Sequence, residues 1–342
     1  MSNFEIENSK KEKSFTSTGE KILYHKEAIN DLYKSKNHPI VMHIMPTEKC
    51  NLNCVFCSVA QRGEEGKLFP DLTMEQIKHT VSFFKSMGLK AVILSGGGEP
   101  TIYPNINNLL EYLLSEELEI GLITNGLMLK NIKSIYLHEI TWIRISINSL
   151  DYVDDIEIPK LKDKTTLGFS YIWNPLTSEE LLQKIKNKVN LISNFNSVSY
   201  VRLLPDCNLD SEKLEEAHKL IRKVAQRLGE PFFHQYKIHQ TPSECHLGRV
   251  HPVLYTDGYI YPCDSLVLNS PLEERKFHRD YALCKWDKVD NFYSKPINGS
   301  LLDTKRCPNC VFYNQNEVLK KIISKKNITF HCEEHLKHIN FI

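Results

Sequence analysis

The chain is 342 residues long, 41% apolar and 25% charged, with 43 Lys+Arg against 42 Asp+Glu and a formal net charge of +1. That is enough apolar side chain for one large domain or a large and a small one, and lysines scattered among acids offer no basic block for the phosphates of a nucleic acid. No apolar run approaches the length of a bilayer span and residues 1–21 hold no apolar signal segment, so the expectation is a cytoplasmic protein without a membrane partner; ten cysteines in that setting point to metal or redox chemistry before disulfides.

Residues 1–20 mix Lys, Glu, Ser and Asn and read as a flexible N-terminal tail. Lys21–Ser35 has apolar residues at helical spacing and reads as a lead-in helix. Pro39–Met45 is a short apolar run, read as a buried strand, and it delivers a loop with Cys50, Cys54 and Cys57. Three thiols within eight residues can face one centre. They are too few for a closed four-ligand zinc site and suit a [4Fe-4S] cluster with three irons held and one open. A zinc knuckle or three unrelated buried cysteines is the alternative.

Helical and strand-like stretches then alternate. Thr73 is placed to cap a helix from Leu72 to Met87 that Gly88 ends, and Lys90–Ser95 is the second strand. A helix over 105–118, strand Glu119–Thr124, a shorter helix over 127–136 and strand Ile140–Ile147 follow. Strand Thr166–Ile172, helix Glu179–Ser193, strand Val198–Leu204 and helix Ser211–Leu228 complete six strand–helix units. Such alternation argues for an α/β protein with a parallel sheet, curled or doubly wound. The second strand ends in Ser95-Gly-Gly-Gly-Glu-Pro-Thr101, where glycines allow close backbone approach. Arg144 and Arg202 alternate with apolar neighbours on their strands, and a buried Arg needs an anionic partner, from a ligand or from the fold.

Past Gly229 the alternation stops. Val253–Tyr261 reads as a β-hairpin turning at Asp257-Gly258, between Cys245 and Cys263, and Cys307-Pro-Asn-Cys310 follows. As bare chemistry these four thiols suit a structural zinc as well as an iron–sulfur cluster. Cys207, Cys284 and Cys332 remain, each readable as a small buried hydrophobe.

Cys50-x3-Cys54-x-Phe56-Cys57 resembles the signature of the radical S-adenosylmethionine (SAM) enzymes, with Phe56 in the aromatic position. The resemblance implies a partial (β/α)6 barrel over 21–235, SAM bound on the open iron, and a 5'-deoxyadenosyl radical that takes a hydrogen atom from a substrate. Gly97-Gly98-Glu99-Pro100 resembles the family's motif whose backbone receives the SAM amino group. Thr124-Asn125-Gly126 resembles its Thr-Asn-Gly turn, and Ser146, Asn148 and Ser170 are further candidates for SAM contact. Cys245-x12-Gly258-x4-Cys263 with the closing Cys307-x2-Cys310 resembles the SPASM/twitch extension, here without the further thiols of a full SPASM pattern. It implies a hairpin-plus-helix twitch domain over 236–342 with one auxiliary [4Fe-4S] cluster on Cys245, Cys263, Cys307 and Cys310; Cys284 and Cys332 are not expected to be ligands. Cys207, at the end of the sixth strand, is placed to return a hydrogen atom to a substrate radical, as in radical SAM epimerases. The expected function is oxidation or epimerisation of a small polar substrate of aminosugar or cyclitol type, with an electron donor such as flavodoxin or ferredoxin; the alternatives are a peptide-modifying radical SAM enzyme and, outside catalysis, a zinc-binding interaction protein.

Overall fold

The structure, a computed structural model, describes residues 3–57, 68–206, 209–236, 240–265, 279–306, 310–325 and 336–342. Six parallel strands form where the apolar runs predict them: β1 (Val41–Ile44), β2 (Ala91–Leu94), β3 (Glu119–Thr124), β4 (Trp142–Ser146), β5 (Thr166–Trp173) and β6 (Val198–Pro205). The short β7 (Phe232–His234) adds to β6 in parallel, beyond the point where the sequence pattern stops. At the other edge β8 (Val253–Leu254) pairs in parallel with β1, and β9 (Tyr259–Tyr261) and β10 (Cys284–Lys285) extend it antiparallel. The hairpin at Asp257-Gly258 forms as expected, Gly258 taking φ +79°, and it is hydrogen-bonded into the same sheet as the barrel strands.

The helices are α1 (Asn3–Phe15), α2 (Gly19–Ile22), α3 (Lys26–Tyr33), α4 (Met74–Ser86), α5 (Ile106–Ser115), α6 (Ser134–Leu137), α7 (Glu179–Ser193), α8 (Ser211–Leu228), α9 (Val289–Tyr293) and α10 (Tyr313–Ile323). Thr73 caps α4 with a reciprocal capping box to Gln76, and Gly88 ends the segment at φ +109°, where a Cβ would meet the His38 ring at 2.3 Å. One strand face buries Met42, Ile44, Val92, Leu94, Ile143 and Ile145 against the helices. The alternate residues face the other way, and there the sheet curls. Asp264, three residues past β9, is close enough to Arg202 of β6 to raise its pKa. In a flat sheet seven strand positions would hold them roughly 34 Å apart.

Three expectations are corrected. The stretch read as a flexible tail contains α1, whose polar composition hid it: Asn8 exchanges hydrogen bonds with the backbone N–H and C=O of His234 at 2.8 and 2.9 Å, and Phe15 stacks on Tyr200 at 4.5 Å. The single lead-in helix is two, α2 and α3, because His25 takes a non-helical conformation with its ring nitrogen 3.0 Å from the Ile339 carbonyl. The helix expected over 127–136 is a 3-10 turn at Leu129–Asn131 followed by the short α6. Among the described residues no helix is long and apolar enough to cross a membrane.

Candidate functional site

β1 ends at Ile44 and the chain runs straight into the cysteine loop, which the ends of several other strands hold in place. Gly98 donates its N–H to the Thr47 carbonyl at 3.0 Å and Glu99 its N–H to the Lys49 carbonyl at 2.8 Å. This closeness explains the glycines: a Cβ on Gly98 would lie 2.0 Å from the Lys49 oxygen, and one on Gly96 would lie 1.8 Å from the Gly98 oxygen. Asn125, after β3, donates through Nδ2 to Asn51 Oδ1 at 2.7 Å, and Tyr152, after β4, accepts the Val55 N–H at 2.8 Å. From the C-terminal third, Tyr255 hydrogen-bonds Glu48 and lies against Gly97.

Cys50 is exposed, Cys54 and Cys57 are half-buried, and Phe56 is buried between the latter two. Burial, with the neighbouring Cys57 and Cys50 acting in the same direction, pushes the Cys54 thiol up to about 12, so the three thiols share one electrostatic neighbourhood. Thiolates crowded in this way want a cation to share, and an iron–sulfur cluster is such a partner. Among the described residues, no three His, Cys, Asp or Glu side chains are drawn tightly enough to grip a single ion.

The other expected contacts divide. The Glu99 carboxylate, counted among the cofactor contacts, is committed to the fold: it accepts from Thr101 N and Oγ1, Thr124 Oγ1 and Asn125 N, at 2.6 to 3.0 Å. It thus latches the β2 turn to the β3 turn, which leaves the backbone of Gly97 and Gly98 to face a ligand; Pro100 begins a 3-10 turn behind them. Asn148 is likewise engaged, accepting from Ile172 N at 2.7 Å and donating to Ile172 O and Asp151 Oδ2, both at 3.0 Å. These bonds brace β5 against the end of β4. Ser146 and Ser170 pair in register on the inner face, and no hydrogen bond among the described residues occupies their hydroxyls. Arg144 gives its Nε to Tyr200 Oη at 3.0 Å and its Nη2 to the Phe15 carbonyl at 2.7 Å, with Trp142 5.1 Å beneath it. Among the described residues its partners are a carbonyl, a phenol and a ring, with no carboxylate paired to it.

In the C-terminal third, Cys245, Cys263 and Cys310 are each 7% exposed and line one small cavity with Leu247, Leu302 and Phe312. Burial, then the nearby Cys310, pushes the Cys245 thiol up to about 12. Asn316 contacts the Cys310 sulfur at 3.8 Å and its carbonyl accepts the N–H groups of His246 and Leu247. Cys307, expected as the fourth thiol, and Cys207 and Cys332 lie outside the described residues. Cys284 stands apart on β10, partly buried near Asp287 and Asp290.

Residues 44–165 match the family model of the radical SAM superfamily. Among curated relatives, the molybdenum cofactor biosynthesis protein moc-5 of Caenorhabditis elegans is 30% identical over 51% of this chain and 29% of its own length, and the GTP 3',8-cyclase of Aquifex aeolicus is 29% identical over 46% and 49%. The chain therefore spans half or less of these relatives. The fold resembles that of Streptococcus suis SuiB, solved bound to precursor peptide SuiA, with a TM-score of 0.51, 16% identity, and coverage of 80% of this chain and 69% of that one. The matched segment contains the cysteine loop, the glycine turn and the strands that hold them, and over that segment the chain is similar to the radical SAM superfamily.

Proposed function

We propose that the chain cleaves SAM reductively and uses the radical to take a hydrogen atom from a small polar substrate, of aminosugar or cyclitol type, for oxidation or epimerisation. The observation that carries the reading is the loop of Cys50, Cys54 and Cys57 pinned by two backbone hydrogen bonds to the glycine turn. A [4Fe-4S] cluster on these thiols supplies one electron to the SAM sulfonium and an open iron to hold it. Gly97 and Gly98 offer their backbone to the SAM amino group, and Ser146 and Ser170 offer hydroxyls on the inner face. A second cluster on Cys245, Cys263, Cys310 and Cys307 accounts for three buried thiols around one cavity, and serves to move an electron or shape the pocket. Cys207 is assigned the return of a hydrogen atom in an epimerisation, and flavodoxin or ferredoxin the supply of electrons.

The test is anaerobic reconstitution followed by dithionite and SAM. The expected result is 5'-deoxyadenosine formation with about eight irons per chain, falling by half and losing cleavage in Cys50→Ala, and falling by half in a Cys245→Ala, Cys310→Ala double variant. A colourless protein with zinc alone and no cleavage overturns the reading. Turnover in deuterated water separates the two outcomes: solvent deuterium in product, lost in Cys207→Ala, means epimerisation, and a two-hydrogen mass loss means oxidation.

A further inference from the structure

The inner face of the barrel holds polar side chains for which the fold has no use. His43 stands in β1 between Met42 and Ile44, which face the helices; its own ring turns inward, 5% exposed, and neither nitrogen has a hydrogen-bond partner. His251, 2% exposed, has its ring 5.1 Å from that of His43; neither of its nitrogens makes a full hydrogen bond, the backbone of Ile342 being a polar neighbour that acts on the ring. Asp264 Oδ2 lies 3.8 Å from His43 Nδ1, beyond hydrogen-bond length, and Asp264 Oδ1 is buried with no partner. From across the barrel, Arg202 reaches Gln235 Oε1 at 2.9 Å through Nη1, while its Nε is buried and unpartnered.

The charges that act on this group leave an excess of one cation, Arg202 and Arg144 against Asp264. Burial, helped by Arg144, lowers His43 to about 3, and burial with His43 does the same to His251, so both imidazoles are neutral. Burial, then Arg144, lowers the Arg202 guanidinium to about 9, so it remains charged at neutral pH. Among the described residues no carboxylate comes within ion-pair distance of it, and its side-chain partner is a neutral amide. Asp264 is felt at Arg202 but does not pair with it, and a guanidinium withdrawn from water without a contacting anion is costly, while a forked donor is shaped for an oxyanion. Ser170 pairs in register with both Ser146 and Arg202, which sets Arg202 level with the C-terminal end of β4, the side on which β1 delivers the cysteine loop.

We infer that this inner-face cluster seats a small polyhydroxy substrate by an oxyanion, phosphate or carboxylate, held on Arg202, with hydroxyl or amino groups bridging His43, His251 and Asp264. The inference deepens the function proposed above and rests on that reading for the word substrate. It adds that the molecule is an anion, which a plain aminosugar is not.

The test uses the cluster-loaded full chain, with inorganic phosphate and acetate as probes at constant ionic strength and the thermal midpoint as readout. The midpoint is expected to rise with at least one probe, phosphate marking a phosphate ester and acetate a carboxylate. Arg202→Gln is expected to need about tenfold more of the same probe, the loss of one charged hydrogen-bonded contact. No response to either probe, or an equal response in Arg202→Gln, overturns the inference. If Arg202→Gln does not fold, Arg202→Lys serves: it keeps the charge without the fork, a weaker response is expected, and an unchanged one overturns. SAM cleavage by the same wild-type preparation separates the two levels. Cleavage without an anion response removes the anion site alone, and an anion response without cleavage removes the enzyme reading alone.

Discussion

Tyr255, at the exit of β8, donates its phenol proton to the carboxylate of Glu48, two residues ahead of Cys50 and 207 residues away in sequence. The second Glu48 oxygen accepts the Phe69 N–H at 2.8 Å, so one carboxylate ties the cysteine loop both to the segment leading into α4 and to the C-terminal hairpin. Tyr255→Phe removes the donor and leaves Glu48 buried with one partner fewer. The expected cost is about 1–3 kcal/mol, read as a lower thermal midpoint, together with faster loss of iron from the Cys50–Cys57 site than from the second site. Equal loss from both would mean that the bond is not a local tether.

Gly98→Ala tests the seam between the loop and the glycine turn. A Cβ 2.0 Å from the Lys49 carbonyl meets backbone and has no flexible side chain to push aside. The bonds from Gly98 to Thr47 and from Glu99 to Lys49 must open, at a cost of about 1–3 kcal/mol. SAM affinity, measured by equilibrium dialysis with the cluster loaded, is expected to fall together with the thermal midpoint. A wild-type midpoint would show that the seam is slack.

Glu12 of α1 accepts the Tyr236 N–H at 3.1 Å, and burial raises its pKa to about 7. Between the ordinary carboxylate value near 4.5 and about 7, the folded chain keeps a proton that the unfolded chain has released. This residue therefore makes stability fall as pH rises through that interval, with no further change above it. In Glu12→Gln that part of the slope is expected to vanish, so that denaturant midpoints at pH 5 and pH 8 differ less than in the wild type. An unchanged difference would count against a buried Glu12.

β1 to β6 were legible because each is a short apolar run set off from the helical stretches around it; Thr73 and Gly88 frame α4 by local chemistry alone. α1 was not, since its anchors are the backbone of β7 and the Tyr200 ring, partners that lie beyond any local window. Polarity at a strand end leaves the work of Asn148 unread for a related reason. An amide there looks the same whether it serves a ligand or, as here, the backbone of Ile172. His43 did carry a signal, one polar residue inside Ile40-Val-Met-His-Ile-Met45, but its meaning depends on His251 and Asp264. Those two reach it through the β8–β1 pairing, which no spacing in the sequence announces.

That pairing also sets a clock on synthesis. β1 takes one neighbour from β2, close behind it in the chain, but its other neighbour is Val253–Leu254, some two hundred residues later. At about 5–20 residues per second, the ribosome needs roughly 10–40 s to bring that strand out after His43 has emerged. Throughout that interval the first barrel strand has one bare edge, and Glu48 beside the cysteine loop lacks Tyr255. The last third of the chain is thus a late-arriving clasp on the first strand, and a nascent chain halted before residue 253 holds the three thiols without it.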